Sequence, residues 1–359
     1  MASLARDRIS SRETALALVR RYGWNSTAYQ ILNPGIALFA SVQGDAVTGY
    51  VDYGGVRVAA GVPVCRPERL IEAMAEFEEA AAETGRRVCY FYAEDRAREM
   101  TANLGAYRAV QIGTQPIWHP HEWAATFDAH ASLRAQLNRA RNKGLRVVEW
   151  PRERAGENPA LQQCLYEWLT DRRMSELHFL VEPETLGFLE GRRIFVAEKA
   201  GTPLGFLIAS PIPLRRGWLI EQVIRGRAAP NGTAESLIDA AVRAFAADGD
   251  EMITLGLAAL NQREIRVRNP GWLHLLFTWA RAHGRRFYNF GGLDTFKAKF
   301  RPHHWEPVYM LSREERFSFG NLIAVAGAFT GGHLGAALLG TLARAARQEV
   351  RWLRRRLFS

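Results

Sequence analysis

The sequence predicts an α+β chain with mixed sheets. A strand meander followed by a helix and a further strand occurs twice, with Gly, Pro, Asn and Asp turns between elements. Hydrophobic residues make up 48% of 359, enough to bury cores in two units with a remainder. That fraction excludes a disordered chain.

Residues 10–22 have helical spacing, and 36–42, 47–53 and 56–61 read as short strands of a meander. The helix expected over 67–84 sets Leu70, Met74, Phe77 and Ala81 on one face and stops at Gly85. A strand at 87–92, a helix at 95–104 and a strand at 109–112 complete a first unit, 1–128. The stretch 118–127, with its WHPHEW, reads as a linker. Its His119 and His121 lack a third ligand nearby, so no metal is expected.

A helix follows, with Ser132 placed to cap it and Gly144 to end it. Leu133, Leu137 and Ala140 face one way; Arg134, Asn138 and Arg141 recur at i, i+4 and i+7 on another face. Such a stripe is either a solvated surface or one that contacts phosphates. Beyond it come a strand at 145–150 and a helix at 159–176 built on Leu161, Leu165, Trp168 and Leu169. Strands at 194–198, 204–210 and 218–224 repeat the meander. A helix from Thr233, a strand at 252–257, a helix at 271–283 and a strand at 287–290 complete a second unit, 129–313.

The junction near 217–245 holds the candidate chemistry. Glu221, Gln222 and Arg225 stand at the end of a strand, where α/β folds place ligands. A turn of Gly226, Pro230, Asn231 and Gly232 then leads to Thr233 as N-cap. A glycine turn opening a helix is an anion cradle, because free N–H groups and the helix dipole point outward.

Lys and Arg total 47 against 37 Asp and Glu, a net +10, which favours a polyanionic partner, nucleic acid or an anionic membrane surface. Lysine occurs at only four positions, Lys143, Lys199, Lys297 and Lys299. Two of them sit in FKAKF, where a compact charge that guanidinium does not replace is wanted. Cys65, Cys89 and Cys164 are widely spaced and odd in number, which fits a reducing compartment and no disulfide frame. The N-terminus has no signal-peptide core.

From 317 to 343 no residue is charged. The run suffices in length for a bilayer, which needs ~20 apolar residues, yet Asn321, His333 and several glycines dilute it. Whether it spans or lies on a membrane stays open. In 344–359, Ala346, Val350, Leu353 and Leu357 share one helical face and Arg344, Arg347, Arg351 and Arg354 another. The expectation for 314–359 is a helical, amphipathic, membrane-associating tail.

The element order resembles an N-acyltransferase (GNAT) domain in tandem. SLRAQLNRARNKGL, APNGT, ITLGLAAL and FYNFGGLDTFKAKFRPHHWEPVY resemble the C-terminal catalytic domain of bacterial phosphatidylglycerol lysyltransferases, the aminoacyl-phosphatidylglycerol synthases. The likeness spans roughly 87–311. It implies transfer of an amino acid from aminoacyl-tRNA to a lipid hydroxyl by tandem GNAT-like domains, without acetyl-CoA. It further implies catalytic roles for Glu221, Arg225 and Lys299, the essential lysine falling at Lys299 rather than Lys297. Gln222, Asn231, Gly232, Thr233, Lys297 and Trp305 are the expected substrate contacts, and Arg134, Asn138, Arg141 and Lys143 the expected tRNA contacts. Relatives carry Asp where this chain has Gln222, which leaves the acidic role to Glu221 or vacant. Full-length synthases carry an N-terminal flippase region; none precedes this domain here, so a free-standing form is expected, with phosphatidylglycerol or another hydroxylated lipid as acceptor. The implied partners are aminoacyl-tRNA, anionic lipid and, through the tail, the inner face of the cell membrane.

An aminoacyl ester is already activated, so no nucleotide, cofactor or metal is expected. The alternatives are an acyl-CoA-dependent N-acyltransferase and a non-catalytic membrane- or tRNA-binding protein. The first needs a compact glycine turn around pyrophosphate, whereas Gly226 and Gly232 are wrongly spaced for one. The second leaves FKAKF unexplained.

Overall fold

The computed structural model describes residues 11–171, 178–283 and 290–332. Helix α1 (Arg12–Tyr22) leads to β1 (Ala37–Ala40), β2 (Val47–Tyr53) and β3 (Val56–Ala60), an antiparallel meander. Helix α2 (Leu70–Glu83) buries Leu70, Met74, Phe77 and Ala81, as their spacing requires. It returns the chain to β4 (Arg87–Glu94), parallel to β3. Helix α3 (Asp95–Ala102) and β5 (Arg108–Trp118) follow.

The chain then turns through α4 (Trp123–Asp128), α5 (Ala131–Asn142), β6 (Leu145–Trp150), α6 (Arg152–Ala155) and α7 (Pro159–Asp171). Strands β7 (Arg193–Lys199), β8 (Thr202–Ile212) and β9 (Gly217–Arg225) form the second meander. Helix α8 (Thr233–Ala247) brings β10 (Met252–Thr254) back parallel to β9. After β11 (Ala258–Ala259) come α9 (Gly271–His283), α10 (Phe290–Ala298), β12 (His304–Ser312) and α11 (Phe319–Phe329).

All strands belong to one mixed sheet, in the order β1-β2-β3-β4-β12-β5-β10-β9-β8-β7-β6, with β11 paired to β5. The order meander, helix, parallel strand thus occurs twice within a continuous sheet. Strand β12 lies antiparallel between β4 and β5, so the last strand of the expected second unit completes the sheet of the first half. Its Pro307 and Glu306 disguise it in the sequence.

Several local expectations are corrected. Strand β5 runs through 118, where Trp118 is buried and donates Nε1–H to the Phe300 carbonyl at 2.8 Å; the expected linker is a 3-10 turn and α4. His130, not Ser132, is the N-cap of α5. Gly232, not Thr233, is the N-cap of α8, at φ 95°. Thr233 Oγ1 instead donates to the Pro230 carbonyl at 2.7 Å. Of the strand expected at 287–290, only Phe290 is described, and it opens α10. Residues 172–176 of the expected long helix lie outside the described residues. So does 333–359, which holds the expected amphipathic helix. The chain before it is not loose: Ala324, Val325 and Ala328 of α11 are buried in the core. Among the described residues no helix is long and apolar enough to cross a membrane.

Candidate active site

Strand β9 is held on one side by β8 along its whole length, but β10 pairs only with Gly217–Leu219. Past Leu219 the two parallel strands separate, because the chain after β10 stays with β5, through β11, while β9 stays with β8. Gly113 permits the close approach of β11. Its φ is 148°, and a Cβ there would lie 2.4 Å from the Ala258 carbonyl oxygen, a contact no side chain tolerates. The register of β9 against β8 shifts at Glu221, between the pairs Ile208–Gln222 and Ala209–Ile220. A bulge of this kind re-aims the side chains around it.

At the far end of β9 a cavity of about 290 Å³ opens, lined by Arg225, Asn231, Gly232, Glu235, Gln136, Arg139 and Lys143. Gly232 lets α8 and α5 meet, since a Cβ there would stand 2.6 Å from the Gln136 carbonyl oxygen. No side chain caps α8, although the Thr233 N–H donates to the Pro230 carbonyl at 3.2 Å, so the helix dipole adds to the positive field of the cavity. Lys299, one residue past α10, donates to Glu235 Oε1 at 2.7 Å and to Gln136 Oε1. Three cationic side chains, Arg225, Arg139 and Lys143, therefore line the cavity, and a fourth, Lys299, is held beside it by Glu235, a site suited to an anion with several phosphate oxygens.

Of the expected tRNA contacts, Lys143 lines this cavity. Arg134, Asn138 and Arg141 lie on the other side of α5, about half a turn around from Gln136, Arg139 and Lys143. Arg139 and Gln136 were missed, although their i, i+3, i+7 relation to Lys143 was readable. Asn231 and Gly232, two of the expected substrate contacts, line the cavity.

Glu221 does not. Its carboxylate is buried and clamped by Arg192, at 2.7 Å from Nε and 3.2 Å from the second nitrogen. Arg192 also donates to Asn33 Oδ1 at 2.8 Å, tying β9 to the first half. Gln222 accepts from Thr185 Oγ1 at 2.9 Å and donates to the Glu182 carbonyl. Trp305 is half-buried on β12 beneath the Arg263 guanidinium, 4.8 Å from the ring centre.

Lys297 is buried on α10 and donates to the carbonyls of Gly256 and Leu257, both at 2.8 Å. These belong to the segment that leaves β10 where the strands part. Burial drives its ammonium down to about 7, against the opposing pull of Asp294. A lysine divided between its two protonation states near neutrality is able to accept or give a proton.

A second polar cluster fills the centre of the sheet. Glu94 Oε1 accepts from Ser26 N–H at 2.8 Å, Ser26 Oγ at 2.7 Å and Gln115 Nε2 at 3.0 Å. Arg215 bridges Glu94 at 3.5 Å and Glu306 at 2.5 Å. Burial raises Glu94 despite Arg215. Burial would raise Glu306 too, but hydrogen bonds from His304 and Arg215 outweigh it and take Glu306 down to about 2.

The expected linker histidines acquire neighbours at the start of β12: the rings of His303 and His304 centre 5.1 and 5.8 Å from His119, whose other ring neighbour, His121, is 5.9 Å away. His119 Nδ1 donates to the Glu251 carbonyl, and His303 Nδ1 accepts from the His119 N–H. Among the described residues no group of three or more His, Cys, Asp or Glu is arranged to hold a metal ion.

A protein-family model described as phosphatidylglycerol lysyltransferase, C-terminal, matches residues 16–312. No curated protein matches by sequence. Among solved structures, one assigned to the C-terminal domain of a lysylphosphatidylglycerol synthetase from Agrobacterium fabrum superposes with a TM-score of 0.76 at 23% identity, covering 89% of this chain and 97% of that one. L-PGS from Bacillus licheniformis gives 0.73 at 22% identity, over 88% and 95%. A Bacteroides thetaiotaomicron protein of unknown function gives 0.61 at 13%, over 86% and 99%. At these identities the likenesses show a shared fold.

Proposed function

Because the chain belongs to the family of the phosphatidylglycerol lysyltransferase C-terminal domain, we propose that it transfers an amino acid from aminoacyl-tRNA to a hydroxyl of a membrane lipid, phosphatidylglycerol or another hydroxylated lipid. The observation that carries this reading is the cavity at the end of β9, where Arg225, Arg139, Lys143 and the uncapped start of α8 face one space beside Lys299. Phosphates at the 3′ end of a tRNA match that set of donors.

The acceptor oxygen attacks the ester carbonyl, forming a new ester bond, and the bond to the ribose oxygen breaks. The acceptor's proton ends on the departing ribose hydroxyl. Lys299 stabilises the oxyanion formed between these steps, and Arg225 positions the donor. Glu221, with both oxygens engaged by Arg192, supports β9 in this scheme; proton transfer passes directly between the hydroxyls or through Lys297. Gln222, Asn231, Gly232, Thr233 and Trp305 shape the substrate space.

The twice-used strand order is read as two GNAT-like units, 1–128 and 129–313, that share one sheet. Residues 314–359 attach the protein peripherally to the inner face of the cell membrane. Incubation with charged tRNA carrying a radiolabelled amino acid and phosphatidylglycerol in detergent should move label into the chloroform phase. Label that stays wholly with tRNA or water overturns the reading.

A further inference from the structure

Helix α9 is apolar on two sides. Leu273 is buried, and Leu276 and Phe277 pack on the core of the first half. Trp272, Leu275 and Trp279 recur at i, i+3 and i+7 on the outer side, with exposures of 42%, 70% and 58%. Helix α11 adds Phe319 and Ile323, at 56% and 40%. Trp272 and Phe319 meet edge to face, ring centres 6.2 Å apart, so the two helices present one continuous apolar surface. Contiguous exposed apolar area of this kind marks an interaction site.

Its chemistry selects the occupant. Neither 271–283 nor 317–332 contains an Asp or Glu. Exposed Arg268 precedes α9 and exposed Arg316 precedes α11. Exposed tryptophans on acid-free helices, with Arg268 and Arg316 beside an exposed Glu315 at the edge, suit the interfacial layer of an anionic bilayer. There indole rings settle at headgroup depth and guanidinium groups meet phosphate.

The same helix reaches the separated strands. Arg281 donates to the Leu260 carbonyl at 3.0 Å, and Leu257 packs with Leu276 and Phe277 in one cluster. Leu257 is the residue whose carbonyl holds Lys297. Helix α9 thus joins the apolar surface to that segment through Arg281 and a shared core cluster.

We propose that the outer face of α9 and α11 docks in the plane of an anionic membrane and delivers the lipid acceptor to the gap between β9 and β10. This rests on the lipid-acceptor reading above and adds the surface through which the lipid arrives.

The test is co-sedimentation of the full chain with vesicles of phosphatidylglycerol and phosphatidylcholine, alongside transfer assays in detergent. The combined change Trp272→Ser, Leu275→Ser and Trp279→Ser should lower vesicle partitioning at least ~10-fold, since three large side chains leave the interface. Phe319→Ser with Ile323→Ser should act in the same direction. Both proteins should stay folded by circular dichroism, because the altered side chains are largely exposed. Wild-type tryptophan emission should be quenched by brominated lipid, and the triple variant's should be quenched much less. Unchanged partitioning of the triple variant overturns the proposal. So does a wild-type dimer that the triple variant dissolves without loss of vesicle binding, which would give the face to a second copy. Deleting 344–359 provides the comparison: if that alone abolishes binding and the triple variant keeps it, the tail is the anchor and the proposal fails. Absence of transfer in detergent with vesicle binding intact overturns the catalytic reading instead.

Discussion

Lys299 Nζ lies 2.7 Å from Glu235 Oε1, on the first turn of α8. An acidic residue there ordinarily serves the helix dipole; here it also fixes a lysine from another element beside the cavity that Arg225 lines. Lys299→Ala is expected to lower the transfer rate ~100-fold or more if the ammonium supports the oxyanion. The thermal midpoint should stay close to wild type, because Lys299 is only half-buried. Arg225→Ala should lose activity similarly. Near-normal label transfer by a folded Lys299→Ala protein would remove Lys299 from the mechanism.

The two faces of α5 make different predictions for tRNA affinity. Replacing Arg139 and Lys143 by Gln, on the cavity side, should flatten the dependence of log affinity on log salt by roughly 0.7–0.9 per lost contact. Replacing Arg134 and Arg141 by Gln tests the opposite face, which the sequence singled out. Filter binding across a salt series decides: the pair with the larger change in slope faces the nucleic acid.

Glu221 and Arg192 are both nearly inaccessible, with side-chain exposures of 7% and 1%. Glu221→Ala leaves a buried guanidinium without its counter-charge, a loss of about 3–5 kcal/mol. Urea unfolding should show it as a lower midpoint. A loss below about 1 kcal/mol would mean that the pair is hydrated and that Glu221 has another task.

The depressed Lys297 gives stability a definite slope with pH. Below about 7 the lysine is protonated both folded and unfolded, and the cost of burying its charge is fully present. Between about 7 and its ordinary value of 10.5 the unfolded chain binds the extra proton. Stability therefore rises with pH over that window, by up to ~1.4 kcal/mol per pH unit from this group. The difference in unfolding free energy between wild type and Lys297→Met should grow in the wild type's favour from pH 7 to 10. A flat difference would place the ammonium in a hydrated setting.

The elements that sequence revealed are those whose pattern is local. Helices α2, α8 and α9 and strands β2, β6 and β9 carry their own periodicity, so their boundaries fell within a few residues of expectation. Strand β12 was opaque because its partners, β4 and β5, are remote in sequence, and prolines and charges on a central strand read as loop. The same limit governs the site. Arg225, Asn231 and Gly232 were visible as residue types near a turn, Lys143 at the end of a helix and Lys299 as one of four lysines, but Arg192, Gln136, Arg139 and Glu235 gain meaning only through side-chain contacts across elements. Lys297 and Lys299 stand two residues apart in FKAKF, and only the family resemblance set Lys299 ahead as the essential one. Burial separates them, placing one on backbone carbonyls inside and the other on a carboxylate at the cavity.

The position of β12 also sets a timetable. Ribosomes deliver residues 304–312 after most of the chain has emerged, yet that strand fills the slot between β4 and β5. Until it arrives, two inward edges with unmet N–H and C=O groups face each other across a strand-wide gap, open to pairing with another nascent chain. The first half therefore cannot finish as an independent body during synthesis, and a chain cut short before 304 leaves it incomplete. Closure waits for a contact spanning roughly two hundred residues, which makes folding slow and late for a protein of this size. Expression systems that hold the chain unaggregated over that interval should raise the yield of native protein more than changes to the stability of either half.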